Sequence, residues 1–337
     1  MISPNAEPSV NARICVAGPG AIGLTLAARL LIGGYRVSVI ARGSSLTSIR
    51  QNGIRLVDRE GDHQLRIEVG TASDFPAQDI LFLCPKSQDM PALAAAVQPI
   101  IGPNTLIVPV INGIPWWYFD GVTGGWNGRQ IKSVDPDGVL KERLQSTQIV
   151  GVTTTITAER LQPGVARTFN PLQMTIGELD GHISARVKNL AEILVRSGIE
   201  TRVTSRIRDA IWTKVARNLI SNPVSAITRV TLRENFSNGY LANISRQMLY
   251  EVLLVVAAYE AHLEIDPDTI MTSARNMGDV ETSMLQDLER GSPLELSSIC
   301  DAVIELASLR GISMPVTQAM TDLARFASQA ADHSRVA

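Results

Sequence analysis

Residues 13–23 read Arg13-Ile14-Cys15-Val16-Ala17-Gly18-Pro19-Gly20-Ala21-Ile22-Gly23, and this stretch decides the fold. Arg13 to Ala17 is a short apolar run ending in glycines, and from Ala21 to Ile32 the residues Leu24, Ala27, Ala28 and Leu31 recur at helical spacing. Strand, tight turn and helix follow directly on one another. Gly33-Gly34 stops the helix, and Arg36 to Ile40 supplies a second run rich in valine and isoleucine, which closes a parallel βαβ unit of about thirty residues. In that setting the spacing GxGxxG gives each glycine a task. The first makes the turn, the second lets a pyrophosphate approach the backbone, and the third lets helix and strand pack closely. Free amide groups and the helix dipole then hold the phosphates. The expected class is α/β, with a Rossmann-type parallel sheet in the N-terminal domain and a dinucleotide bound at Gly18, Pro19, Gly20, Ala21, Ile22 and Gly23.

The end of the second strand selects the dinucleotide. An acidic side chain there would accept hydrogen bonds from the ribose hydroxyls of NAD. The chain instead reads Val39-Ile40-Ala41-Arg42-Gly43-Ser44. Arg42 lies 22 positions after Gly20 and can form a charge-assisted fork on a 2′-phosphate, so NADPH/NADP+ is favoured over NAD; an exposed arginine without a role is the competing reading.

Further along, a helix is expected over Ser44 to Asn52 and a hairpin from Ile54 to Val57 and Gln64 to Val69. Strands are expected at Ile80 to Cys84 and Thr105 to Val110, with a helix at Met90 to Val97. From Asp120 to Gly138 the chain has no periodicity and reads as either a lid or a surface insertion. Two or three more strands are expected between Gln148 and Gly177. Beyond Arg206 long amphipathic stretches at 206–220, 242–263, 295–310 and 314–330 alternate with breaks at Asn222-Pro223, Asp266-Pro267 and Gly291-Ser292-Pro293. This divides the chain into an NADP-binding Rossmann domain over 12–205 and an all-helical substrate and catalytic domain over 206–331, with room for a cleft.

Composition narrows the partners. With 337 residues, 45% hydrophobic and 19% charged, the chain is that of an ordinary globular protein long enough for two domains. A net charge of -2 and the lack of basic runs argue against nucleic acid. The first eleven residues read as a flexible tail without the features of a signal peptide. Leu253 to Ala258, the most apolar run, reads as a buried helix segment too short to cross a bilayer. Cys15, Cys84 and Cys300 have no metal or disulfide spacing and read as buried thiols of a cytoplasmic protein. No metal is expected, and the oligomeric state is left open, with a homodimer as the candidate.

Residues able to do chemistry are scattered: Lys86, Asn112-Gly113, Lys214, Asn218, Asn222, Ser283 and Glu295. Lys214, Asn218 and Asn222 stand at i, i+4 and i+8, which lines one amine and two amides along one helical face. Such a stripe is either a solvated face or a buried functional one, and the adjoining Leu219-Ile220 points to the second.

At these residues the chain resembles the ketopantoate reductase family, from about Arg13 to about Arg325. The resemblance is carried by the glycine turn with Arg42, by Cys84-Pro85-Lys86 and Ile111-Asn112-Gly113, and by Trp212-x-Lys214-x3-Asn218-x3-Asn222-Pro223. Ser283-Met284-Leu285-Gln286-Asp287 completes it, with Glu295 twelve residues after Ser283. It implies an NADPH-dependent reduction of a 2-oxo acid, 2-dehydropantoate, to pantoate, a step of pantothenate biosynthesis. It implies too that Lys214 protonates the carbonyl oxygen, that Asn218, Asn222 and Ser283 bind the substrate, that Glu295 serves at substrate and cofactor, and that Asn112 and Lys86 lie beside the nicotinamide. The chain departs from the family pattern at Ser292, Leu294 and Ser297, and at Leu232, where an asparagine often helps bind the substrate. It departs also at Ile114 to Phe119, whose four aromatic rings either line the substrate pocket or anchor the following loop. Alternatives are another NADP-dependent 2-oxo or 3-hydroxy acid dehydrogenase, or a non-catalytic NADP-sensing protein of the same fold.

Overall fold

The run Ile14–Ala17 (β1) is buried on both faces, as a central strand covered by other layers must be. A computed structural model of the chain describes residues 12–336, with side chains to residue 330, so the N-terminal tail lies outside the described residues. After β1 come α1 (Ala21–Ile32), β2 (Val37–Ile40), α2 (Gly43–Asn52), β3 (Ile54–Asp58), β4 (Gly61–Leu65), β5 (Glu68–Gly70), β6 (Gln78–Leu83), α3 (Met90–Ala96) and β7 (Ile101–Pro109). Five of these strands form one sheet in the order β5-β2-β1-β6-β7, and every neighbouring pair is parallel. Strand order runs outward from β1 in both directions. The topological switch therefore falls at β1 and β6, and ligands of such sheets bind beyond the carboxyl ends of the strands there.

The chain continues with α4 (Val139–Arg143), β8 (Val150–Thr154), β9 (Ala158–Gln162), β10 (Val165–Thr168), β11 (Gln173–Glu178), α5 (Ala185–Arg196) and β12 (Glu200–Val203). The stretch 148–177 thus holds four strands rather than two or three. They divide between two further sheets, β4-β3-β10-β9 and β12-β11-β8. The expected hairpin forms, with Ile54 opposite Leu65, but its second arm ends at Leu65. Residues 68–70 pair instead with β2 in the parallel sheet, so the single strand expected over 64–69 is two. Its two halves belong to different sheets.

Helix α1 buries Leu24, Leu26, Ala27, Ala28 and Leu30, and it carries Arg29 into the same layer. The Arg29 guanidinium contacts Asp58 at 2.7 Å and Glu60 at 2.6 Å, and His63 approaches Asp58 at 3.2 Å. Arg29 and Asp58 side chains are 5% and 2% exposed, so their charges have little water to fall back on. This pair ties the hairpin to the helix that opens at the glycine turn.

From Ile207 the chain is helical: α6 (Ile207–Thr228), α7 (Leu232–Ser237), α8 (Gly239–Ala258), α9 (Pro267–Asn276), α10 (Ser283–Arg290), α11 (Ala302–Leu309) and α12 (Pro315–Val336). Asn222-Pro223 does not break α6, contrary to the sequence expectation. Proline removes one N–H from the ladder and disfavours helical geometry before it. Here Ser221 to Ala226 are all buried, and that packing holds the helix through the proline. Helix α8 is long and apolar enough to cross a membrane by length and composition, yet it packs Met248, Leu249, Val252, Val255 and Val256 inward, and Ser245 Oγ donates to the Ile220 carbonyl at 2.8 Å. Leu254 is 60% exposed, so the run Leu253 to Ala258 is buried on one side only.

The contacts divide the chain into two units. One comprises residues up to Ile111, Phe119–Gln130 and Gly138–Ile207; the other comprises Asn112–Tyr118, Ile131–Asp137 and the chain from Arg208. Replacing Arg29 with alanine takes the guanidinium from buried Asp58 and leaves it only His63 and the Glu60 and Gly61 amides. The expected result is a loss of about 3–5 kcal/mol in urea unfolding.

Candidate active site

In the sheet-containing unit the first functional element is the glycine turn. Gly18 adopts φ +95°, and a Cβ there would lie 2.9 Å from the Cys84 carbonyl. A Cβ on Gly23 would lie 2.2 Å from the Gly18 oxygen, so both positions need glycine for packing. Gly20 differs, because a Cβ there meets nothing within 4 Å. The turn is braced from within, where Gly20 N–H donates to Gly18 O at 2.9 Å. Helix α1 begins behind it with no side-chain cap and no acidic residue in its first turn. An open space beside uncapped amides at a helix start fits a pyrophosphate.

Two cationic side chains flank this turn. Gly18 N–H donates to Ile40 O, at 3.4 Å, which sets the end of β2 beside the turn, and exposed Arg42 follows as the N-cap of α2. On the other side Cys84 N–H donates to Ala17 O at 2.8 Å, and half-buried Lys86 follows two residues later. The carboxyl ends of β1, β2 and β6 thus present glycine turn, arginine and lysine together.

In the helical unit α6 carries Lys214, Arg217, Asn218 and Asn222. Lys214 and Asn218 are half-buried and Asn222 is buried. The stripe is therefore drawn into the protein. Burial pushes the Lys214 amine down to about 8, opposed by Glu295 and reinforced by Arg217. Glu295 is 5% exposed and accepts a hydrogen bond from Asn112 Nδ2 at 3.2 Å. Asn222 accepts from Ser221 Oγ at 3.2 Å, while its Nδ2 is buried without a hydrogen-bond partner. Such a donor is costly to leave unmet and marks a place where a ligand group can be received. Ser283 is exposed at the start of α10, whose N-cap Thr282 accepts from Leu285 N–H at 3.2 Å.

Sequence reasoning missed what holds Asn112 against Glu295. Residues Ser297–Asp301 form a π-helical turn directly after Glu295. Ile114 N–H donates to Ser298 O at 2.8 Å, and Gly113, at φ +85°, lies so close that a Cβ would fall 2.3 Å from the Ser298 carbonyl. The turn clasps the segment carrying Asn112. Wide turns of this kind often occur at functional sites. No periodicity announces one in advance.

The aromatic stretch takes its anchoring reading. Trp116, Trp117, Tyr118 and Phe119 are all buried. Tyr118 Oη accepts from Trp212 Nε1 at 2.8 Å, its ring meets Trp212 and Tyr259 edge-on at 6.0 Å, and its carbonyl accepts from Arg208 Nε. Arg208 and Trp212, in the first two turns of α6 ahead of Lys214, are thereby held. Phe119 stacks on Trp126 at 5.3 Å in the sheet-containing unit. Residues 120–138 are pinned rather than loose: Gly128 N–H donates to Phe119 O at 2.9 Å, and the Lys132 and Ser133 amides donate to Glu305 at 2.9 and 2.7 Å.

Models of the family described as ketopantoate reductase PanE/ApbA match residues 14–181, and its C-terminal part matches residues 206–328. The chain belongs to the ketopantoate reductase family. Its 2-dehydropantoate 2-reductase relative from Mesorhizobium japonicum is 34% identical over 315 residues, covering 93% of this chain and 97% of the relative. A solved structure from Ralstonia solanacearum, provisionally called a ketopantoate reductase, superposes with a TM-score of 0.91 at 29% identity, covering 96% of this chain and 99% of that one. A D-mandelate dehydrogenase solved with NADH and anilino(oxo)acetate shares the fold, with a TM-score of 0.82 at 19% identity and coverage of 95% and 99%.

Gly20 and Gly23 of this ketopantoate reductase family member make separable predictions. Gly20→Ala is expected to unfold in urea like wild type while binding a nicotinamide dinucleotide at least ~10-fold more weakly, because its Cβ enters open space that the pyrophosphate needs. Gly23→Ala is expected to lower stability outright, since backbone must move to admit the methyl group.

Proposed function

We propose that the protein is an NADPH-dependent reductase of 2-oxo acids and that ketopantoate is its substrate, reduced to pantoate. The observation that carries this reading is Lys214, an amine lowered to about 8 by burial in a unit that also holds the Asn112–Glu295 pair. NADPH, when bound, supplies the hydride that reaches the carbonyl carbon. Gly18 to Gly23 would hold its pyrophosphate, Arg42 its 2′-phosphate, and Lys86 and Asn112 would lie beside its nicotinamide. As negative charge grows on the substrate oxygen, the Lys214 ammonium offsets it and gives up a proton to form the hydroxyl. Burial favours the neutral amine that remains. Asn218, Asn222 and Ser283 hold the substrate through amide and hydroxyl groups, and Glu295 keeps the ammonium charged before reaction and returns the site toward that state afterward.

A second reading, a bulkier or more apolar 2-oxo acid, is favoured by Leu232, which is buried where the family resemblance places a polar amide. The mandelate dehydrogenase of the same fold was solved with anilino(oxo)acetate, which carries an aromatic ring. A homodimer belongs to the same proposal, supported by Tyr250 and Leu254 of α8 and Leu323 and Phe326 of α12, all more than half exposed. Cytoplasmic location is supported by three buried cysteines that form no disulfide.

Following loss of nicotinamide absorbance with a panel of 2-oxo acids of increasing size tests the reading. Ketopantoate should give the highest kcat/KM. NADPH binding without oxidation by any acid would refute catalysis. Lys214→Ala should keep NADPH affinity and lose roughly 10²-fold or more in turnover. Because the protonated amine is the donor, reduction by the wild type should be level at low pH and fall as pH rises through about 8. Arg42→Ala should weaken NADPH by roughly 10- to 100-fold and leave NADH nearly unchanged.

A further inference from the structure

Among the described residues, Arg217 is a cation whose charge is felt at Lys214 and that the reaction described above does not use. It follows Lys214 by three residues on α6, the spacing that puts two side chains on one helical surface about 5–6 Å apart at Cβ. Its charge is felt at Lys214, where it helps lower the amine. It is half-buried, and burial alone pulls its own pKa down. Among the described residues no carboxylate pairs with it. Its hydrogen-bond partner is the sulfur of Met277, at 3.9 Å, the residue capping α9 at the head of the connection that leads to Ser283. The guanidinium thus reaches from the helix of Lys214 and Asn218 to the segment before Ser283.

Partly buried guanidinium groups are normally paired, because a weak sulfur acceptor does not replace lost water. Charge counting shows what is missing. Lys214 and Arg217 bring two positive charges and Glu295 one negative charge, so one anion brings the group to neutrality. In a 2-oxo acid the carboxylate carbon is bonded directly to the carbonyl carbon. A side chain that holds it must therefore stand within one residue's reach of the group that protonates the carbonyl oxygen. Arg217 stands there.

We propose that Arg217 binds the carboxylate of the 2-oxo acid through its planar fork, setting the carbonyl oxygen against Lys214 and requiring a free acid as substrate. This rests on the reductase reading of the site. Charge-assisted bonds of this kind are worth enough to change affinity by roughly 10- to 100-fold.

The test compares wild type, Arg217→Met and Arg217→Lys, each with NADPH and either ketopantoate or its uncharged methyl ester. Wild type should strongly prefer the acid. Arg217→Met, which keeps the stem, should raise KM for the acid by roughly 10- to 100-fold, act on acid and ester alike, and bind NADPH as wild type does, while Arg217→Lys recovers part of the preference. Removing the neighbouring charge should also move the alkaline fall in rate to higher pH. Wild-type KM and acid preference in Arg217→Met would overturn the assignment while leaving the reductase reading standing. A wild type inactive on every 2-oxo acid would overturn both.

Discussion

An ammonium taken out of water needs a negative charge within reach, and the chemistry proposed for this protein depends on how that need is met. Lys214 is drawn inward by α6, Glu295 supplies the charge, and Asn112 fixes Glu295 by a hydrogen bond of 3.2 Å. Burial pulls the amine's pKa down, and the Glu295 carboxylate opposes that pull. Together they leave an amine at about 8, still largely protonated at neutral pH and a stronger acid than an ordinary lysine, as a proton donor to a carbonyl oxygen needs to be.

Much of the remaining structure serves to keep those groups in register. The π-turn at Ser297–Asp301 grips Ile114 through the Ser298 carbonyl, and only glycine at 113 lets the two backbones approach. Tyr118, held by Trp212 and edge-on against Tyr259, fixes the other side of the same short segment. Of the aromatic rings that set this sequence apart, Tyr118 therefore holds the first turns of α6. The glycine turn of the sheet-containing unit follows the same logic with backbone alone, where Gly18 and Gly23 are required by contact while Gly20 borders open space.

The parallel sheet was legible in the sequence because its signals are local. Apolar runs, helical spacing and a glycine turn fall within a few residues of one another, and β1, α1 and β2 appear where those signals stand. Signals that depend on distant partners were not legible. The run 64–69 looks like one strand, and only pairing with β2 shows that its end belongs to another sheet. Pro223 looks like a helix end, and only the burial of Ser221 to Ala226 explains why it is not. At the site, the i, i+4 spacing exposed Lys214, Asn218 and Asn222, whereas Arg217, one helical turn after Lys214, carried no motif and became noticeable only when no carboxylate met it.

Lys214 is one of five lysines in the chain, so its titration can be followed directly. Reductive methylation with 13C-formaldehyde, with the Lys214→Ala protein to assign the resonance, gives the pKa by NMR. The structure predicts a value of about 8, well below the ordinary 10.5 of lysine. A resonance titrating near 10.5 would contradict the account, because the amine would then be a solvated surface group rather than the proposed proton donor.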